Sequence, residues 1–212
     1  DSQRAAFLLC VGFCGYGVMR KVSSSVGCPL SGRYVYRRSL KLLLKHNGTI
    51  VDLHIHLLIE TLELLDFKLA EIEGDISKHS DIADCHDEFE RSEYFIGLGF
   101  VAIQQYFVET ILLTNLNKSK AYTVGPKLSD GVPFASLVNA CANWWKHEPE
   151  WFNKDELKDD AQRTIKRVLK FSNSNDFALS NVLAFLIDNK SCRFTYLIPK
   201  IQEWSECVAN SE

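Results

Sequence analysis

The chain has 212 residues, 46% of them hydrophobic and 24% charged, with 27 acidic against 24 basic side chains and a formal net charge of −3. So even a balance removes any general case for binding nucleic acid or a membrane surface and leaves that to local basic patches. The apolar content and length fit one ordinary globular core.

Arg4 followed by apolar residues from Ala5 to Val18 imitates a secretion signal, but Met19-Arg20-Lys21 stands where a small-residue cleavage site belongs. The run is also shorter than the roughly twenty residues that span a bilayer. The expectation is an untargeted, cytoplasmic protein with no membrane partner. Val26-Gly27-Cys28-Pro29-Leu30-Ser31-Gly32-Arg33-Tyr34-Val35, back-translated, resembles the closing segment of the repeats that separate gene cassettes in bacterial chromosomal integrons. The stretch from Gln3 to Met19 resembles the opening arm of the same repeat, and Arg37-Arg38 match the purine run of a ribosome-binding site. The resemblance implies an integron mobile gene-cassette protein: residues 1–38 are a read-through segment, the natural start lies further on, and residues 39–212 form a single helical domain. Any order in the read-through segment is expected to come from a partner surface. Nothing about activity follows from it.

Helical periodicity dominates the rest. Val51, Ile55, Leu58, Leu62, Leu65, Leu69 and Ile72 alternate spacings of four and three and so share one stripe of a long helix, with Thr49 as N-cap and Gly74 as stop. Leu53, Leu57 and Leu64 broaden its buried face. A second long helix is predicted over about 82–115, with Phe89, Ile96, Phe100, Ile103, Phe107 and Ile111 inward. Gly97 and Gly99 weaken it by roughly 1 kcal/mol each unless a neighbouring helix crosses close there, which is the expectation.

Residues 115–131 read as a loop. Pro133 opens a shorter helix on which Phe134, Leu137, Val138, Cys141, Ala142 and Trp145 share a face, and Pro149 closes it. Asn153 and Glu156 then stand in capping-box spacing before a helix that buries Leu157, Ala161, Ile165, Val168 and Leu169. After a linker at 172–175, Phe177 to Ile187 forms a helix and Pro199 opens the last one, with Arg193 to Ile198 either extended or its first turns. No other stretch has a strand pattern. The predicted fold class is all-α, a bundle of about six helices built on two long antiparallel ones.

One segment has chemical potential: Ala142-Asn143-Trp144-Trp145-Lys146-His147-Glu148-Pro149-Glu150-Trp151. Asn139, Asn143 and His147 are spaced by four and form a polar line opposite the buried face, with Lys146 beside it. The Asn-x-x-Lys-His arrangement resembles the Arg-x(4–6)-His signature of HEPN domains, all-α proteins that usually dimerise and often cut RNA without a metal. That resemblance implies His147 as general base or acid, Asn143 in the place of the family's polar partner and Lys146 holding phosphate charge; the family's arginine is absent here. The alternative is that His147 and Lys146 only complement a helix C-terminus, and that Trp144, Trp145, Trp151 and Phe152 seal a core or an interface. Trp144, off the stripe that holds Trp145, then marks a subunit contact or a pocket wall.

Asp75, His79, Asp81, Asp84, His86, Asp87 and Glu88 form a dense acidic stretch, read as a solvated turn and an acidic first helical turn rather than a metal site. His54 and His56, two apart on a helix, do not share a ligand. Arg163, Lys166, Arg167 and Lys170 make a basic stripe, read as a solvated face or, under the nuclease hypothesis, as RNA contact. Seven cysteines without C-x-x-C spacing predict reduced thiols, with no metal site and no cofactor. Two functions follow. The preferred one is a self-associating, dimeric binding module that takes a small apolar ligand or a protein partner through Trp144 and Trp151, in an apolar concavity that Asn143, Lys146 and His147 merely border, with Asn139, Arg163 and Lys166 as further binding candidates. The alternative is a HEPN-like, metal-independent endoribonuclease of toxin or defence type, with RNA as partner.

Overall fold

A computed structural model describes residues 43–211 of the chain, apart from 47, 48, 53, 115, 152, 153 and 155. Residues 1–38, expected to be a read-through segment, lie outside the described residues with Cys10, Cys14 and Cys28, as do Leu53, Phe152 and Asn153. The described residues belong to one compact unit, Leu42–Glu212.

The architecture is an all-α bundle. Its helices are α1 (Ile55–Ile76), α2 (His86–Leu112), the one-turn α3 (Lys118–Ala121), α4 (Phe134–Trp151), α5 (Asp159–Ser172), α6 (Ala178–Leu186) and α7 (Ile198–Ala209). Short 3₁₀ turns at Ile82–Cys85 and Phe194–Leu197 lead into α2 and α7. Before α1 stands a hairpin, β1 (Leu43–His46) and β2 (Thr49–Asp52), paired antiparallel with His46 opposite Thr49. The hairpin corrects the expectation that no strand would appear: Asn47-Gly48 is the dipeptide favoured between such strands, and Thr49-Ile50-Val51 is β-branched.

The hairpin also moves the start of α1. Thr49 and Val51 lie on β2, and α1 begins at Ile55 with His54 at its N-cap; just ahead of it Asp52 accepts at Oδ1 from the backbone N–H of His54 (2.8 Å) and Ile55 (3.1 Å). Its other carboxylate oxygen accepts from the Tyr106 hydroxyl on α2. Burial, reinforced by that carboxylate, pushes the Tyr106 phenol far above its ordinary range. Gly74 does not stop α1, which runs two residues past it. Leu58, Leu62, Leu69 and Ile72 are buried as the stripe requires, but Leu57 and Leu64 are exposed rather than a second buried flank.

Helix α2 is the central element. Ile96, Phe100, Ile103, Phe107 and Ile111 are buried along its inner face, and Phe107 packs on Trp204 of α7 at 4.1 Å between ring centroids. Gly97 and Gly99 are the expected close approaches: a methyl group built on Gly97 would enter the indole of Trp145, and one on Gly99 the ring of Phe194. The stretch 82–112 is long and apolar enough to cross a membrane by length and composition, and half of its most apolar window is buried inside the bundle.

Carboxylates of α1 and α2 tie both helices to the last third of the chain. Asp66, 7% exposed, accepts from the backbone N–H of Phe194 (2.6 Å) and Thr195 (3.0 Å) and from the Thr195 hydroxyl (2.6 Å). Glu93 accepts from the N–H of Leu179 (2.7 Å) and Ser180 (2.8 Å), at the start of α6. Glu73 accepts from the N–H of Cys192 and from the Arg193 guanidinium (3.0 Å). Asp66 and Glu93 thereby satisfy N–H groups that a helical start leaves without an internal partner, and Glu73 holds the segment just before such a start.

Candidate ligand-binding cleft

Helix α4 sets the candidate site, and its buried arc is wider than the periodicity predicts. Phe134, Leu137, Val138, Cys141 and Ala142 are buried as expected, but the two central tryptophans exchange roles: Trp144 is 8% exposed and belongs to the core, while Trp145 is half-buried. The reason is the missing side chain at Gly97, which lets the Trp145 indole lie across α2 at the edge of the α2–α4 contact. Trp144 therefore offers no free surface for a partner. Its indole N–H donates to Glu148, and its ring meets Trp151 edge-to-face at 6.0 Å.

Pro149 does not end α4, which continues to Trp151. A proline in the last turn removes a single hydrogen bond, and the remaining turn closes without it. The extra turn carries Trp151 out beside His147, and the two rings stack at 6.3 Å with an interplanar angle of 30°. Helix α5 starts at Asp159 with Lys158 at its N-cap and no side-chain cap, later than the expected capping box, whose Asn153 lies outside the described residues. Glu156 is exposed in the connection.

Between α4 and α5 lies a cleft of about 300 Å³ lined by Asn143, His147, Glu150, Trp151, Lys154, Leu157, Lys158, Asp160, Ala161 and Thr164. One wall is aromatic. Leu157 and Ala161 are apolar, Asn143 and Thr164 are neutral polar groups, and Lys154 and Lys158 are balanced by Glu150 and Asp160. The His147 Nδ1 lies 3.4 Å from Glu150 Oε1.

The expected polar line is only partly assembled, and it does not lie opposite the buried face. Asn139 and Asn143 turn toward α2, where the Gln104 amide donates to Asn139 Oδ1 (2.9 Å) and Asn143 Oδ1 (3.0 Å). Lys146 donates to the Gln104 oxygen at 2.6 Å and does not line the cleft. Burial, and then the neighbouring charge of Lys118, hold its ammonium below the usual lysine range. The cleft thus brings together Asn143, His147 and Trp151 and leaves out Lys146, Asn139 and Trp144. Arg163 is paired with Asp160 and Lys166 is exposed, and neither lines the cleft. The rest of the basic stripe is spent on structure: Arg167 donates to Ser136 (2.7 Å) and Lys170 pairs with Asp130 (2.7 Å).

The periodicity missed Gln104, Glu148 and Thr164. A signal for Gln104 was available, because a polar side chain inside the apolar run of α2 needs a partner. Burial, and then the Glu93 carboxylate, raise the Glu148 carboxyl above its usual range. A carboxyl raised on folding favours the protonated fold, so its contribution is full at low pH and is lost as pH rises through the folded value. Glu148→Gln is therefore expected to raise the melting temperature near neutral pH by a few degrees at most, and to lose that advantage below about pH 4. A pH series of thermal melts checks both parts.

The acidic stretch before α2 is paired off as a turn. Asp75 meets Lys78 (2.8 Å), His79 meets Glu88 (3.3 Å), and Asp81 caps the first 3₁₀ turn through the Ala83 N–H. His54 Nδ1 lies 2.8 Å from Glu109 Oε2, and His56 is exposed elsewhere on α1. Among the described residues no group of three or more histidine, cysteine or carboxylate side chains is placed to hold a metal ion. Cys85, Cys141, Cys192 and Cys207 are free thiols. Burial, ahead of nearby carboxylates, pushes Cys192 up to about 12, far from a reactive thiolate. Compared with protein-family models, curated proteins and solved structures, the chain matches none.

Proposed function

We propose that this cassette-type protein is a binding module whose ligand is a small planar molecule of mixed polarity, held in the α4–α5 cleft. The observation that carries the reading is the cleft itself: about 300 Å³, walled by Trp151 stacked with His147, with Asn143 and Thr164 as neutral polar groups at the same opening. A volume of that size sits at the small end of ligand sites, and an aromatic wall with a few polar groups is their usual composition. The near-balance of Lys154 and Lys158 against Glu150 and Asp160 favours a ligand without strong net charge. The purely apolar ligand expected from the tryptophans fits the charged rim less well.

A thermal-shift screen of planar heteroaromatic and purely aliphatic compounds tests the proposal. Planar compounds are expected to raise the melting temperature, and Trp151→Ala to remove the shift while leaving the unliganded melt within about 1 kcal/mol of the parent. Stabilisation by aliphatic compounds alone, or shifts that persist in Trp151→Ala, would place the ligand elsewhere.

A second reading, metal-independent RNA cleavage, draws on one observation: Asn143 and His147 line the same cleft one helical turn apart. The geometry favours it less, because Lys146 is engaged by Gln104 and the basic stripe is paired or distant. RNA cleavage that persists in a chelator and vanishes with His147→Ala would reverse that order.

A further inference from the structure

Helix α1 carries an apolar surface that the other described residues leave uncovered. Leu57, Leu64 and Phe67 are 46, 73 and 75% exposed, and their spacings of seven and three put them on one stripe. The buried stripe of the same helix, Leu58, Leu62, Leu69 and Ile72, faces α2 and the 3₁₀ turn Phe194–Leu197. A row of two leucines and a phenylalanine is a contiguous patch, unlike the scattered single apolar residues of ordinary surfaces.

Charge on the patch identifies what covers it. Glu60 and Lys68 lie on the same stripe, four residues before and four after Leu64. A second α1 running antiparallel about a two-fold axis at Leu64 stacks Leu64 on Leu64, sets Phe67 beside the partner's Thr61 and Leu57 beside the stem of the partner's Glu71, and places each Lys68 against the partner's Glu60. A parallel copy would instead oppose glutamate to glutamate and lysine to lysine. Such self-complementarity under a two-fold axis is what an isologous contact requires. Lys68 already donates to Glu71 of its own helix at 2.8 Å, and an ammonium with three donors can serve both carboxylates.

We propose that the exposed face of α1 is a homodimer interface occupied by the antiparallel α1 of a second copy. The contact is separate from the cleft, to which α1 contributes no lining residue, and it moves the expected self-association from Trp144 to α1. Loss of the dimer therefore leaves ligand binding testable on its own.

Sedimentation velocity across a concentration series decides the matter. The full chain is expected to sediment as a dimer at micromolar concentration. Leu64→Glu and Phe67→Glu should sediment as monomers with unchanged helix content and a melting temperature that no longer depends on protein concentration. Glu60→Lys and Lys68→Glu, each alone, should weaken the dimer about tenfold at low salt, because every cross-dimer pair becomes repulsive. An equimolar mixture of those two variants should recover the parental association, since each lysine then faces a glutamate. A monomeric parent, a dimer that survives Leu64→Glu, or a mixture that fails to recover would overturn the proposal; so would a monomer that co-sediments with anionic vesicles, which would assign the face to lipid.

Discussion

Asp66→Ala is expected to lower stability by about 4 kcal/mol, from three donors left without an acceptor at roughly 1–3 kcal/mol each. The carboxylate sits on α1 but completes the 3₁₀ turn at Phe194–Leu197, 128 residues later in the chain. Phe194 and Leu197 are fully buried, so water cannot readily replace the lost acceptor at the Phe194 N–H. Asp66→Asn keeps the volume and one acceptor but aims an amide N–H at donors, and should recover less than half of the loss. The measurement is the urea midpoint of each variant at constant slope. A cost below about 1 kcal/mol for the alanine variant would mean that the turn finds other partners.

Gly99→Ala is expected to destabilise by about 2 kcal/mol even though alanine is the better helix former by roughly 1 kcal/mol. The added methyl would occupy the space of the Phe194 ring, which has no exposed surface and packs edge-on against Phe100 at 5.5 Å. Gly97→Ala makes the informative contrast. Its obstacle is the Trp145 indole, which is only partly buried and can swing outward, so the clash and the propensity gain should nearly cancel. A double-mutant cycle of Gly99→Ala with Phe194→Leu should show a coupling of about 1 kcal/mol, because the smaller side chain absorbs the methyl. Stabilisation by Gly99→Ala alone would remove the close approach from the account.

What the sequence revealed and what it hid divide along physical lines. The inner face of α2 was readable because Ile96, Phe100, Ile103, Phe107 and Ile111 repeat at the helical period and burial follows from that alone. Element ends were less so. The α1 start moved from Thr49 to Ile55 because Thr49 pairs in the hairpin, and α4 ran through Pro149 because one lost bond in a last turn is cheap. The Trp144–Trp145 exchange was invisible, since it depends on which helix crosses at Gly97. Of the residues that the sequence singled out, Asn143, His147 and Trp151 line one cleft because they follow one another at helical spacing on α4, whereas Lys146 and Trp144, expected beside them, do not. The opposite wall, Leu157 to Thr164, required knowing that α5 folds back along α4. Asp66 and Glu93 left a faint trace, as carboxylates on otherwise apolar stripes, and their partners lie too far along the chain for any local pattern.

Those distant partners have a consequence for how the protein is made. Glu73 awaits a segment 119 residues further on, an interval of roughly 6–24 s at ordinary rates of synthesis. Within it α1 and then the apolar α2 leave the ribosome without the turn and helix start that their acids complete. The nascent bundle therefore stays open to chaperones and to aggregation until its last quarter emerges, and slow decoding late in the message would prolong the hazard.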